Sequence, residues 1–151
     1  MPSDKNAALI RLHQSRDSAF GKLAYLGHST EEKTFLHVWE LEAEVNNGGF
    51  EQYFCNSSGN HASEVVASLK AIGAHKAAAI AQKAISIAFG ASTPSVNRDL
   101  RTSQVKALND NARDQLAECD QAFFKYPDNL TELLFSFVAE HRKAIRGAEG
   151  I

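Results

Sequence analysis

Apolar residues recur along this chain at three- and four-residue steps, and nowhere do they alternate with polar ones for long enough to suggest a strand. The pattern predicts an all-α protein, a single compact domain of about six or seven helices covering residues 1–151. Residues 5–26 read as a first amphipathic helix within an N-terminal helical region over 1–28, with Leu9, Leu12, Phe20, Leu23 and Leu26 facing inward and Gly27 ending it. Ser29 followed three residues later by Glu32 is a capping-box pattern, in which each side chain satisfies the other's orphan backbone N–H. The helix it opens carries Phe35, Val38, Trp39, Leu41 and Val45. A third run, Ala62, Val65, Val66, Leu69 and Ile72, is closed by Gly73. The alanine-rich stretch AHKAAAIAQKAISIAF at 74–89 is apolar on several sides; its small side chains allow close helix–helix approach and place it centrally. Residues 90–97 read as a loop. From 103 to 126 the positions Val105, Leu108, Ala112, Leu116, Cys119, Phe123 and Tyr126 step without a miss, predicting one long helix. Asn129 with Glu132 suggests a cap for the last helix, whose inner stripe is Leu130, Leu133, Leu134, Phe137, Val138, His141 and Ile145.

One stretch departs from helical grammar: EVNNGGFEQYFCNSSGN, Glu44 to Asn60. Glycine takes positive φ without a Cβ penalty and asparagine tolerates it, so Asn46, Asn47, Gly48 and Gly49 read as a helix end that turns the chain sharply. Phe50, Tyr53 and Phe54 then share one helical face that can enter the core. Asn56 to Asn60, with Gly59, gives a second corner, and Asn60 is placed to cap the helix after it. A different reading lets Glu44, Asn46, Asn47, Gln52, Tyr53 and Asn56 converge on a polar pocket, because buried amides and carboxylates need partners that a ligand could supply.

Composition narrows the function classes. No apolar run approaches the roughly 20 residues that span a bilayer, and MPSDKNAALIRLHQSRDSAF carries charges inside its apolar stretches, unlike a signal peptide. A cytoplasmic location is expected, with Cys55 and Cys119 reduced. No CxxC or HExxH spacing occurs and the six histidines are scattered, so neither a metal site nor any other cofactor is expected. The net charge of −2 and the lack of a Lys/Arg stripe argue against direct nucleic-acid binding. Charge is segregated, however: residues 31–51 hold six glutamates against Lys33 alone, and residues 109–132 six acids against Arg113 and Lys125. Asp110, Asp114 and Glu118 fall at i, i+4 and i+8, rising about 6 Å per step, close to the spacing of successive phosphates on one strand. Glu40 and Glu44 form a second i, i+4 pair.

The motif NNGGFxQYFxNxxG (Asn46 to Gly59), the text ASLKAIGAHKA at 67–77, ECDQAFFKYPDNL at 118–130 and VAEHRKAI at 138–145 together resemble the bacterial DNA-mimic protein family over roughly residues 30–146. The resemblance implies an all-helical fold and a protein-binding role in which acidic side chains imitate DNA phosphates, with dimers as the working form. At −2 overall, this chain could offer phosphate-like charge only as a local patch.

Catalysis is not expected. No nucleophile–base–orienter set is visible, His141 reads as a core histidine, and no Lys or Arg near Cys55 in sequence would lower its pKa. Gly48–Gly49 follows a helix rather than a strand, so it is no phosphate loop. The expectation is a non-enzymatic protein-binding module that presents Glu40, Glu44, Asp110, Asp114 and Glu118 to a basic partner such as a DNA-binding regulator. A homodimer is compatible with the broad apolar girth around Leu36, Trp39 and Leu41. The alternatives are a small-ligand or enzymatic domain using the Glu44–Asn56 corner, and an immunity-type protein binder.

Overall fold

The computed structural model describes residues 4–151; the first three residues of the expected N-terminal region lie outside them. Every regular element among the described residues is helical: α1 (Asp4–Gln14), α2 (Ala19–Lys22), α3 (Thr30–Cys55), α4 (Ala62–Ala71), α5 (His75–Phe89), α6 (Arg98–Lys106), α7 (Asp110–Phe124) and α8 (Leu130–Glu140), with 3-10 turns at Tyr25–Gly27 and Ser57–His61. The contacts group into two units, residues 1–36 with 129–151, and residues 37–128.

In the first unit α1 packs on α2 and α8. Leu9, Leu12, Leu134, Val138 and Ile145 are buried, and the Phe20 and Phe35 rings lie 4.8 Å apart. The single helix expected over 5–26 is instead broken after Gln14. The Ser15 hydroxyl accepts the Asp17 N–H and the Ser18 hydroxyl donates to the Ser15 carbonyl, side-chain bonds that compete with the helical ladder. Gly21 permits the return, since a Cβ there would meet the Ser15 carbonyl oxygen at 2.2 Å. As a result Leu23 and Leu26, expected inside, are 36% and 89% exposed.

The capping box at the start of α3 forms as expected, Ser29 N–H to Glu32 Oε1 at 2.7 Å and Glu32 N–H to Ser29 Oγ at 3.0 Å. At the start of α8 only half of it forms: the Asn129 side chain accepts the Glu132 N–H, while the Glu132 carboxylate pairs with Lys5. His141 lies one residue beyond α8, half-buried, with Nδ1 on the Phe137 carbonyl at 2.8 Å.

In the second unit α5 packs against both α4 and α7, the central place its alanines predict; Ala77, Ala81 and Ala84 are at most 2% exposed. Gly73 and Gly90 end α4 and α5 with φ of 87° and 66°. The helix expected over 103–126 is two helices. Residues 107–109 turn between them, Asn109 caps α7 by accepting the Ala112 N–H at 2.8 Å, and Asn97 caps α6 in the same way through Leu100. The inner seam holds at Val105, Leu116, Cys119 and Phe123 but fails at Tyr126, which is 41% exposed and takes a φ of 49° just past the end of α7. Leu41 is fully buried within the chain, and both cysteines are free thiols.

Candidate functional site

The Asn46–Gly49 run ends one helical stretch and opens another, so α3 is two helices joined across a kink, the sharp turn that the run predicts. Gly48 (φ −159°, ψ 19°) and Gly49 (φ 77°, ψ −178°) break the helical path, and the helix resumes at Phe50. Gly49 uses the positive φ that glycine permits, and Gly48 does not. A Cβ at Gly49 would sit 2.4 Å from Asp120 Oδ2, because Asp120 reaches in from α7 and its other oxygen accepts the Phe50 N–H at 2.8 Å. That carboxylate caps the resumed helix as an N-cap residue would. Burial and the Glu51 charge push the Asp120 carboxyl up, and the Phe50 N–H opposes them. Phe50, Tyr53 and Phe54 are at most 1% exposed, with Phe50 edge-on to Phe123 and Phe54 edge-on to Phe89. Burying each ring contributes about 2 kcal/mol, more than the roughly 0.5–1 kcal/mol of backbone entropy that a glycine costs.

The polar residues of this stretch do converge, and mostly on one another. Glu44 Oε2 accepts from Gln52 Nε2 at 2.8 Å and from Asn56 Nδ2 at 2.9 Å. Asn46 donates to the Tyr126 hydroxyl at 2.6 Å, and that hydroxyl bonds Glu42. These contacts hold Tyr126 in its positive-φ position. Asn47 is exposed.

Sequence reasoning missed the residue that fastens the second corner. Arg101 of α6 is fully buried and spends its guanidinium on backbone and amide oxygens: Phe54 O at 2.9 Å, Ser95 O at 2.7 Å, Asn56 O at 2.9 Å and Asn60 Oδ1 at 2.8 Å. Asn60 therefore serves Arg101 instead of capping α4, where His61 holds the cap position. Gly59 leaves room for the contact, since a Cβ would meet Tyr53 O at 2.6 Å and Arg101 Nε at 3.0 Å. The only sequence signal was a cluster of carbonyl-rich turns with no donor assigned to them.

The two acidic pairings differ in exposure. Glu40 is half-buried, its Oε2 unpartnered, and burial followed by the Glu44 charge pushes its carboxyl up to about 7. Glu44 is half-buried and occupied as described. Asp110, Asp114 and Glu118 are all exposed on α7, with no ion-pair partner among the described residues. They occupy the side of α7 roughly 170° from Leu116, Cys119 and Phe123 at about 100° per residue, so the packing of that seam turns the acids outward. Beside Glu118 lies an open groove of ≈ 260 Å³ lined by Ala79, Ile80, Lys83, Cys119 and Ala122. No described helix is long and apolar enough to cross a membrane.

A family model described as DMP19-like protein matches residues 27–141, a span containing the kinked α3, the Arg101 corner and the acidic face of α7. No curated protein and no solved structure matches the chain.

Proposed function

Because this chain belongs to the DMP19-like family, we propose that it is a non-enzymatic protein-binding module whose docking face is the outward side of α7, where Asp110, Asp114 and Glu118 stand in for successive phosphates before a basic DNA-binding partner. The observation that carries the reading is the solvent exposure of these three carboxylates, one turn apart and without an ion-pair partner among the described residues. Exposed like charges at i, i+4 disfavour a helix by a few tenths of a kcal/mol, a cost with no structural return. The apolar groove beside Glu118 gives such a partner a place for a side-chain anchor, and a charged stripe next to an apolar groove suits both steering and residence.

The alternative, a small-ligand or catalytic site in the Glu44–Asn56 corner, draws no support from the geometry, since Glu44, Gln52 and Asn56 bond one another. An immunity-type binder would use the same α7 face with a different partner. The experiment is capture of cell proteins on the immobilised full chain, eluted in parallel with duplex DNA and with salt. Retained proteins should be DNA-binding proteins released by both eluents, and Asp110→Lys/Asp114→Lys should lose them while keeping wild-type circular dichroism. Retention that ignores duplex DNA would remove the mimicry reading, and retention that ignores charge reversal would remove α7 as the face.

A further inference from the structure

His37, His61 and Glu64 share no recognised metal spacing in the sequence, yet the fold brings one donor atom from each within 4.8 Å of the others. His37 comes from the middle of α3 and its side chain is 4% exposed. Its Nδ1 lies 2.8 Å from the hydroxyl of buried Ser68 on α4, a contact that fixes the ring and leaves Nε2 facing Glu64 Oε2 at 3.3 Å. His61 ends the 3-10 turn and holds the cap position of α4, with its ring 5.1 Å from that of His37 and tilted by 32°. Glu64 follows in the first turn of α4, and its side chain is 58% exposed.

A carboxylate–imidazole pair would account for His37 and Glu64 alone. A divalent cation uses all three donors. We propose that His37 Nε2, a ring nitrogen of His61 and the Glu64 carboxylate bind a zinc-class divalent ion, with water completing the tetrahedron.

Donors around tetrahedral zinc stand roughly 3.3 Å apart, as follows from metal–ligand bonds of about 2.0–2.1 Å. The His37–Glu64 separation already has that value, and the His61 donor lies within 4.8 Å of both, on a side chain less buried than that of His37. The Ser68 hydroxyl would accept the other ring N–H of His37, at Nδ1, and so set the tautomer that frees Nε2 for the ion. The positive end of the α4 dipole opposes a cation here, and the Glu64 charge in that first turn offsets it. The ion would tie α3 to the 57–64 segment and uses none of the α7 acids, so the site does not rest on the proposed function.

The test uses the full chain, stripped with a chelator and titrated with zinc sulfate by calorimetry and by thermal melting. One saturable site is expected, with a melting temperature that rises with zinc concentration. His61→Ala and Glu64→Gln alter side chains that are not part of the buried core, so both should fold; each should weaken zinc binding by roughly tenfold or more. Cobalt(II) in place of zinc should show tetrahedral d–d bands without thiolate charge transfer, since neither cysteine is a ligand. Absence of saturable binding, or binding that both variants retain at full strength, would overturn the proposal, the latter placing the ion on other histidines.

Discussion

Two acidic segments that look alike as sequence are put to opposite uses. In α3 the glutamates are largely spent inside. Glu32 is fully buried, and although burial alone would raise its pKa, hydrogen bonds from the Arg146 guanidinium and from the Ser29 and Arg146 N–H groups, with the Arg146 charge, hold it at about 2. Glu40 is half-buried beside another carboxylate and rises to about 7; Glu42 is pushed up by burial and bonds Tyr126, and Glu51 pairs with Arg113. In α7, Asp110, Asp114 and Glu118 face water, and only Asp120 turns inward. Local acidity therefore says little about display. What decides is the angle each carboxylate makes with its helix's apolar seam, and whether N–H donors wait on the inner side.

The sharpest way to break this contrast is at Glu32. Glu32→Ala strips partners from the Ser29 and Arg146 N–H groups and from the guanidinium, and should cost roughly 3 kcal/mol in urea unfolding. The pH dependence has a definite sign: because the folded pKa lies below the ordinary 4.5, the Glu32 contribution is complete above that value and is lost as pH falls toward about 2. A Glu32→Ala variant as stable as wild type at neutral pH would show that the carboxylate does no structural work.

Next in size is Asp120, the inward exception on α7. Asp120→Ala leaves the Phe50 N–H uncapped and should cost about 1–2 kcal/mol in the same assay, against less than about 0.5 kcal/mol for Asp114→Ala. Equal costs would erase the distinction between the inward and outward acids of one helix.

Glu40 should behave with the opposite sign to Glu32. Its folded pKa is raised from 4.5, so stability falls as pH rises through the interval from 4.5 to about 7. Glu40→Gln should therefore stabilise by about 1 kcal/mol near pH 8 and by almost nothing near pH 4, followed by thermal melting. The smallest effect belongs to Glu118→Gln, which relieves one i, i+4 repulsion and should gain a few tenths of a kcal/mol, shrinking as salt is added.

The sequence disclosed the all-helical class, the central alanine helix, the capping box at Ser29 and the burial of Phe50, Tyr53 and Phe54, since each depends on local periodicity or local turn chemistry. It concealed the break at 107–109, because Ala107 keeps helical geometry and Leu108 N–H still reaches the Val105 carbonyl, so the three-four rhythm of apolar residues runs up to the extended Asn109. Asn109, an N-cap residue followed by Asp110, was the mark to read. Ser15, Asp17 and Ser18 marked the break after α1 in the same way. Arg101, Arg146 and the approach of His37 to His61 and Glu64 were invisible for a different reason: most of their partners lie far along the chain, and no local pattern records them. That is also why the acidic pair Glu40/Glu44 resembled the α7 stripe until burial separated them.

The most direct measurement is partner retention as a function of salt, with Asp110→Lys/Asp114→Lys compared against Glu40→Gln/Glu44→Gln in the full chain. The outward face of α7 as the docking surface predicts that reversal on α7 reduces retention by roughly tenfold or more at low salt and flattens its salt dependence, while neutralising the two α3 glutamates leaves both unchanged. Equal loss from the two pairs, or loss from the α3 pair alone, would contradict it.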